Sequence, residues 1–355
     1  MCMDGGHITI VGLCLIMALV LLLPFSIKRV EEELELFLLL MGAGAVTVAR
    51  QWSLILAGHA ATEPLMIAGA VFAAGLLFRL LRGKIETSLK TLTAKAGLPW
   101  TVFIITAALG LASSIITAII AALVLCEIIT ALKLDRKTEL RLTVYACYAI
   151  GLGAALTPLG EPLSTIVVAK LKEPPHNAGF GYLLNLVGLW VVPGVLLVSA
   201  MAAWQARCAE TGGPGLRQDS QETLGAVALR AFKVYIFVGA LVLLGAGLKP
   251  LAERTVAQLP SWQLYWLNIV SAALDNATLA AAEIVPSMSA EKITAILMGL
   301  LVAGGMLIPG NIPNIISAAK LNIKSREWAA FAAPIGLVLM LAYFLVLLVS
   351  GHLHA

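Results

Sequence analysis

A stretch of twenty residues constrains this chain more than any other. Leu267–Pro286 reads LNIVSAALDNATLAAAEIVP, apolar and rich in small residues, with Asp275 and Asn276 side by side at its middle. Charge deep in a bilayer is costly and is kept for a purpose, and a run this polar at its centre is not a simple span. A second interruption follows at Gly304–Asn314, GGMLIPGNIPN, where Pro309, Gly310, Pro313 and two asparagines break another apolar run. Two broken apolar segments so close together point to a membrane site built from helix ends.

Composition supplies the setting. Of 355 residues, 60% are hydrophobic and 12% charged, about half the charged share of a soluble domain. Apolar runs of about 20 residues fit helical spans, so the expected class is an all-α polytopic membrane protein in a lipid bilayer. The net charge of +4 sits in short loops and reads as orientation, not as nucleic-acid binding. Cys2, Cys14, Cys126, Cys147 and Cys208 are scattered and form no CxxC pair, so buried free thiols are expected. No HExxH, GxSxG or P-loop pattern is present, and neither enzyme chemistry nor a cofactor is expected.

Loop charge orders the spans. Ile8–Phe25, Leu36–Val48 and Pro64–Leu81 form the N-terminal group within residues 1–97. The loop Arg79–Lys95 carries five basic residues against Glu86 and is placed in the cytoplasm. This puts the N-terminus and the C-terminal tail outside; the expected location is the cytoplasmic membrane of a prokaryote. Leu98–Leu132 is flanked by basic residues on both sides, so it must enter and return, its legs meeting near Ser113–Thr117 as a re-entrant hairpin or as two short spans. A broken helix at 138–171 is interrupted by TPLGEP at Thr157–Pro162, since two prolines and a glycine stop a helix. The hydrophilic segment 205–223 is the cytoplasmic linker. The second half, 224–355, has a hairpin at 262–286 and a broken helix at 292–320.

The first hairpin enters from the cytoplasm and the second from outside, which describes an inverted repeat. SSIITAIIAALVL from Ser113 aligns with SAALDNATLAAAEIV from Ser271. TPLGEPLSTIVVAKL from Thr157 aligns with LIPGNIPNIISAAKL from Leu307, sharing a glycine and a closing Ala-Lys-Leu. Inverted repeats with broken helices are a recurring design of secondary transporters, in which freed carbonyls and helix ends hold the ion.

A hard monovalent cation needs oxygen ligands and a carboxylate that exchanges it for a proton. Asp275, Asn276 and Thr278 offer these at the second tip, with Ser271 on its approach. Glu161 and Thr157 offer them at the first break, with Ser113 and Thr117 at the first tip. Asn311 and Asn314 add neutral oxygens at the second break, although capping of helix ends uses the same geometry. Gly160, Pro162, Gly310 and Pro313 make the breaks. Asp275, Asn276 and Glu161 are the expected Na⁺ ligands. Outside the site, Glu127 is expected in a near-surface ion pair with Lys133, Glu283 near the outer interface, and His59 with Glu63 as a solvated pair.

These motifs resemble the ion-transporter superfamily, which includes NhaD-type Na⁺/H⁺ antiporters, arsenite exporters, and citrate and dicarboxylate carriers. The residues that carry the likeness are SAALDNATLAA at Ser271–Ala281, TPLGEPLSTI and PGNIPN. Within it, the chain is most similar to a family described as sodium/proton antiporters of unknown function. The resemblance implies a dimerising scaffold domain, a transport domain that holds both hairpins and moves as an elevator, and a site at Asp275, Asn276 and the Gly/Pro breaks. Related antiporters often carry Asp-Asn at both tips, whereas Thr117 and Ala118 stand at the first one here. Glu161 is then the candidate substitute for the missing acid. A Na⁺/H⁺ antiporter is the expected function. The first rival is a Na⁺-coupled symporter of a small carboxylate or other anion, which would want basic groups at the tips. The second is a non-transporting membrane enzyme or sensor.

Overall fold

The structure is a computed structural model. It describes residues 5–27, 29–30, 33–207, 209, 224–256, 259–274 and 276–353. Asp275, Cys2, Cys208 and most of the expected linker, 210–223, lie outside the described residues.

The described chain is helical, in the order α1 (Gly5–Ser26), α2 (Leu34–Ala49), α3 (Leu54–Ile116), α4 (Ala118–Leu132), α5 (Arg136–Ala154), α6 (Pro162–Lys170) and α7 (Tyr182–Ala206). Next come α8 (Leu224–Val256), α9 (Ser261–Leu267), α10 (Asn276–Glu283), α11 (Ala290–Ala303), α12 (Ile312–Leu321) and α13 (Ser325–Val349). Short 3₁₀ turns at Asn268–Ala272 and Ile308–Gly310 lie between α9 and α10 and between α11 and α12. Five helical stretches are long and apolar enough to cross a bilayer: Leu54–Ala73, Thr91–Ile116, Tyr182–Ala206, Ala231–Leu251 and Ser325–Val349. The protein is a multi-pass helical membrane protein.

The expected loop at 79–95 is helical, part of α3. Its lysines, arginines, leucines and alanines are good helix formers, and charge alone does not end a helix. The interruption comes at Gly97, with φ +76°, a left-handed conformation that glycine adopts without strain. Pro99 follows two residues later, as is common after a helix end. The next break is at Thr117, also at positive φ (75°), so the legs 98–116 and 118–132 meet at the tip expected from the sequence.

Two helices form the centre. On α5 every residue from Thr138 to Ala154 except Arg141 is buried, and on α11 every residue from Ile293 to Ala303. A helix buried on all sides has no solvent or lipid face, and each of these runs directly into one of the Gly/Pro breaks. Elsewhere, small residues let helices approach closely. On α2, a methyl group at Gly42 would lie 2.9 Å from the Ala240 carbonyl oxygen of α8. The Gly247 position on α8 abuts Ala45 at 2.5 Å.

Candidate functional site

The first break begins where α5 ends at Ala154. Thr157 Oγ1 donates to the Ser114 carbonyl and accepts from Leu159 N at 3.3 Å. Gly160 passes so close over the Ala154 carbonyl that no side chain fits. Glu161 is extended (φ −157°, ψ 162°) and precedes Pro162, the first residue of α6. Proline suits this position because the first helical N–H has no partner within the helix. Ser164 Oγ donates to the Ala154 carbonyl at 3.3 Å. The first tip touches this break directly, Ala118 N donating to Gly160 O at 2.8 Å.

The second break repeats this arrangement with other side chains. A methyl group on Gly310 would lie 2.5 Å from Gly304 O, 2.8 Å from Ser271 O and 2.9 Å from Ala272 O, so the second tip sits against the second break. Asn311 is extended (φ −153°, ψ 145°) and starts α12. Asn314 Nδ2 donates to Gly304 O and Leu307 O, each at 2.9 Å, where Ser164 bonds the Ala154 carbonyl in the first break.

The approach to each tip is pinned the same way. Ser113 Oγ donates to Ile150 O at 3.0 Å, and also to Gly110 O at 2.6 Å. Ser271 Oγ donates to Leu300 O at 3.2 Å. The return helices cross over: α4 packs on α12, and α10 packs on α6.

The residues expected at the site divide accordingly. Thr157, Glu161, Asn276, Asn311 and Asn314 are all buried at the two breaks or at the tip facing them. Asn276 Nδ2, Asn311 Oδ1 and Asn314 Oδ1 are buried with no hydrogen-bond partner among the described residues. Buried polar atoms are normally paired, which sets these three apart. Asn276 lies close to the second break, its Nδ2 3.5 Å from where a methyl group on Gly304 would be. Asn311 fits its amide into the notch left by Gly151 on α5. Asp275 lies outside the described residues; its chain neighbours Leu274 and Asn276 are both buried.

Other residues have different work. Thr278 packs against α8 at Gly245. Thr117 caps α4, its side chain accepting from Ile120 N at 3.4 Å. Ser113 ties the end of α3 to α5, and Ser271 ties the 3₁₀ turn Asn268–Ala272 to α11. Pro313 is buried on the first turn of α12, and its carbonyl accepts from Cys147 Sγ at 3.5 Å. Beside the second break, a small cleft opens between Val20 and Pro24 of α1, Leu34 and Leu38 of α2, and Ala273 and Pro309.

Three expectations outside the site change or stand. Glu127 pairs with Lys320 at 2.5 Å, both side chains largely buried, so the pair is interior and not at the surface. Glu283 is 3% exposed, because α10 is enclosed by α6, α8 and α11. His59 and Glu63 form an exposed pair at 2.6 Å, as expected. Of the described cysteines, Cys126 and Cys147 are buried and in no disulfide, while Cys14 is exposed.

Fold and site together define a multi-pass helical membrane protein whose buried polar centre is assembled from interrupted helices and tip residues. The chain belongs to the family described as protein of unknown function (DUF1646), whose model matches residues 10–350. No curated protein matches it significantly.

Proposed function

We propose that this protein is a secondary active transporter, an Na⁺/H⁺ antiporter of the cytoplasmic membrane. The observation that carries the reading is the paired geometry of the two breaks. The sequence repeat equates Ser113 with Ser271, Ile150 with Leu300, Ala154 with Gly304, Gly160 with Gly310, and Ser164 with Asn314. The corresponding contacts are made within each half. Such duplication supports an inverted repeat with two re-entrant hairpins, 98–132 and 262–286, whose tips meet two discontinuous helices.

In this reading Asp275 holds either a proton or Na⁺. Asn276, Asn311 and Asn314 supply neutral oxygens and helix-end dipoles, and Glu161 is the acid of the first break. Neutral oxygens suit a hard cation. Because both tip helices pack on the opposite broken helix, the four elements move as one transport body against a scaffold that includes α2 and α8, and the protein dimerises through that scaffold. The cleft bordered by Ala273 is the approach to the second tip from one side.

Reconstituted protein with an imposed Na⁺ gradient should move protons in the opposite direction, with Li⁺, K⁺ and small carboxylates run as comparisons. Asp275→Asn should abolish the flux while leaving the protein folded. Exchange at the wild-type rate in that variant would remove Asp275 as the carrier. Uptake of Na⁺ that depends on an added carboxylate would replace antiport with symport.

A further inference from the structure

Cys126 of α4 and Cys147 of α5 reach the same side chain on a third helix. Cys126 Sγ is 3.6 Å and Cys147 Sγ 3.3 Å from Ser317 Oγ of α12. Cys147 Sγ also lies 3.5 Å from the Pro313 carbonyl oxygen, one turn earlier on α12. The three helices pack on one another, and each of the three side chains is 1% exposed or less. Two sulfurs and two oxygens therefore border one small buried volume. Glu127 and Lys320, close in sequence to Cys126 and Ser317, pair with each other at 2.5 Å and bring no net charge to it.

Packing does not account for this choice of residues. A buried cysteine can act as a small apolar filler, and the other half of the chain shows what fillers look like at these positions. The repeat drawn above equates Cys126 with Ile284, Cys147 with Leu297 and Ser317 with Val167. Ile284 follows α10, Leu297 is on α11 and Val167 on α6, and each is 1% exposed or less. One half thus fills the matching positions with three hydrocarbons, and the other with two thiols and a hydroxyl.

Thiolates are soft ligands that select thiophilic cations. No group of three or more His, Cys, Asp and Glu side chains gathers among the described residues, so the remaining donors are Ser317 Oγ and the Pro313 carbonyl. Charge sets the valence. Two thiolates cancel one divalent cation, and the complex leaves no net charge in surroundings where a net charge is costly. A monovalent cation would leave one negative charge behind. Binding breaks two S–H bonds, forms two sulfur–metal bonds and releases two protons.

We infer that Cys126, Cys147 and Ser317 form a binding site for a soft divalent metal ion of the kind represented by Cd²⁺. The site is peculiar to the contact of α4 and α5 with α12. It stands apart from the cation site proposed around Asp275 and does not depend on antiport.

Titration of the purified protein with Cd²⁺ tests it. Replacing Cys2, Cys14 and Cys208 by serine leaves Cys126 and Cys147 as the only thiols of the chain. Cd²⁺ should then raise a sulfur-to-metal charge-transfer band in the ultraviolet that saturates at one ion per chain, with two protons released per ion into weakly buffered solution. Cys126→Ala and Cys147→Ala should each abolish the band, and Ser317→Ala should weaken binding. If an alanine variant fails to fold, Cys126→Val or Cys147→Val, closer in volume and equally unable to bind, keeps the comparison. Absence of the band in the triple-serine protein would overturn the inference. So would a band that survives the loss of either cysteine, or binding unchanged in Ser317→Ala. Asp275→Asn separates the two proposals: it should end exchange in vesicles and leave the cadmium band in place.

Discussion

Lys320 Nζ and Glu127 Oε1 meet at 2.5 Å in the interior, the lysine side chain 2% exposed and the glutamate 13%. The pair ties the last turn of α12, which belongs to the second break, to α4, the return helix of the first tip. The repeat equates Lys320 with Lys170, which donates to carbonyls at the end of α10, the return helix of the second tip. Each lysine of the two Ala-Lys-Leu sequences thus fastens a broken helix to the opposite hairpin.

A buried ion pair is worth little against a well-packed apolar replacement, but removing one partner strands the other charge and costs about 3–5 kcal/mol. Lys320→Met should therefore lower the thermal midpoint of the detergent-solubilised protein sharply. Lys320→Met combined with Glu127→Leu should recover most of the loss. Equal destabilisation by the single and double variants would mean that Glu127 is not what Lys320 neutralises.

The glycine breaks are set by space. At Gly310 a methyl group would sit within 3 Å of three carbonyl oxygens, including Ser271 O and Ala272 O of the second tip. Gly310→Ala should therefore destabilise by about 1–3 kcal/mol, the range for overpacking, and slow transport by prying tip from break. Gly58, on α3, has nothing within 4 Å of its methyl position. Gly58→Ala should be neutral or stabilising by up to about 1 kcal/mol through helix propensity. Thermal midpoints of the two variants, measured side by side, check the contrast.

Much of this centre is legible in the sequence, for a physical reason. A helix buried in apolar surroundings has no reason to carry TPLGEP or IPGNIPN unless it stops there, and both segments are breaks, with Glu161 and Asn311 in nearly the same extended conformation. The break at Thr117 falls in the stretch Ser113–Thr117 where the basic flanks of 98–132 place the meeting of its two legs. What stays hidden is which faces oppose each other. Glu127 has Lys133 as a neighbour in sequence, yet its partner lies on α12. Glu283 reads as interfacial from its distance along α10, and only the helices enclosing that segment bury it. The helix through 79–95 is missed because a run of charge marks a membrane boundary but not the end of a helix.

The matched serines give a sharp test of the repeated geometry. Ser113 and Ser271 each donate to a carbonyl of the central helix beside them, at 3.0 and 3.2 Å. A buried hydrogen bond of this kind contributes about 0.5–1.5 kcal/mol. Ser113→Ala and Ser271→Ala should each destabilise within that range, and the double variant should lose the sum, since each serine bonds a different helix. Denaturation midpoints in matched detergent would show it. A large loss for one serine and none for the other would break the equivalence.

Asn311 and Asn314 lie one helical turn apart and should respond differently. Asn314 fastens the break, its amide reaching Gly304 O and Leu307 O, so Asn314→Ala should lose stability, about 1–3 kcal/mol, together with transport. Asn311 presents a buried Oδ1 that bonds nothing among the described residues. In the proposed site this oxygen is a cation ligand, and stability is often sacrificed at such positions. Asn311→Ala should therefore change stability by less than about 1 kcal/mol yet raise the Na⁺ concentration for half-maximal exchange by ~10-fold, equivalent to about 1.4 kcal/mol of lost binding. Paired measurements of the thermal midpoint and the Na⁺ dependence of proton flux decide the matter. Asn311→Ala with unchanged Na⁺ dependence would exclude that oxygen from the cation site.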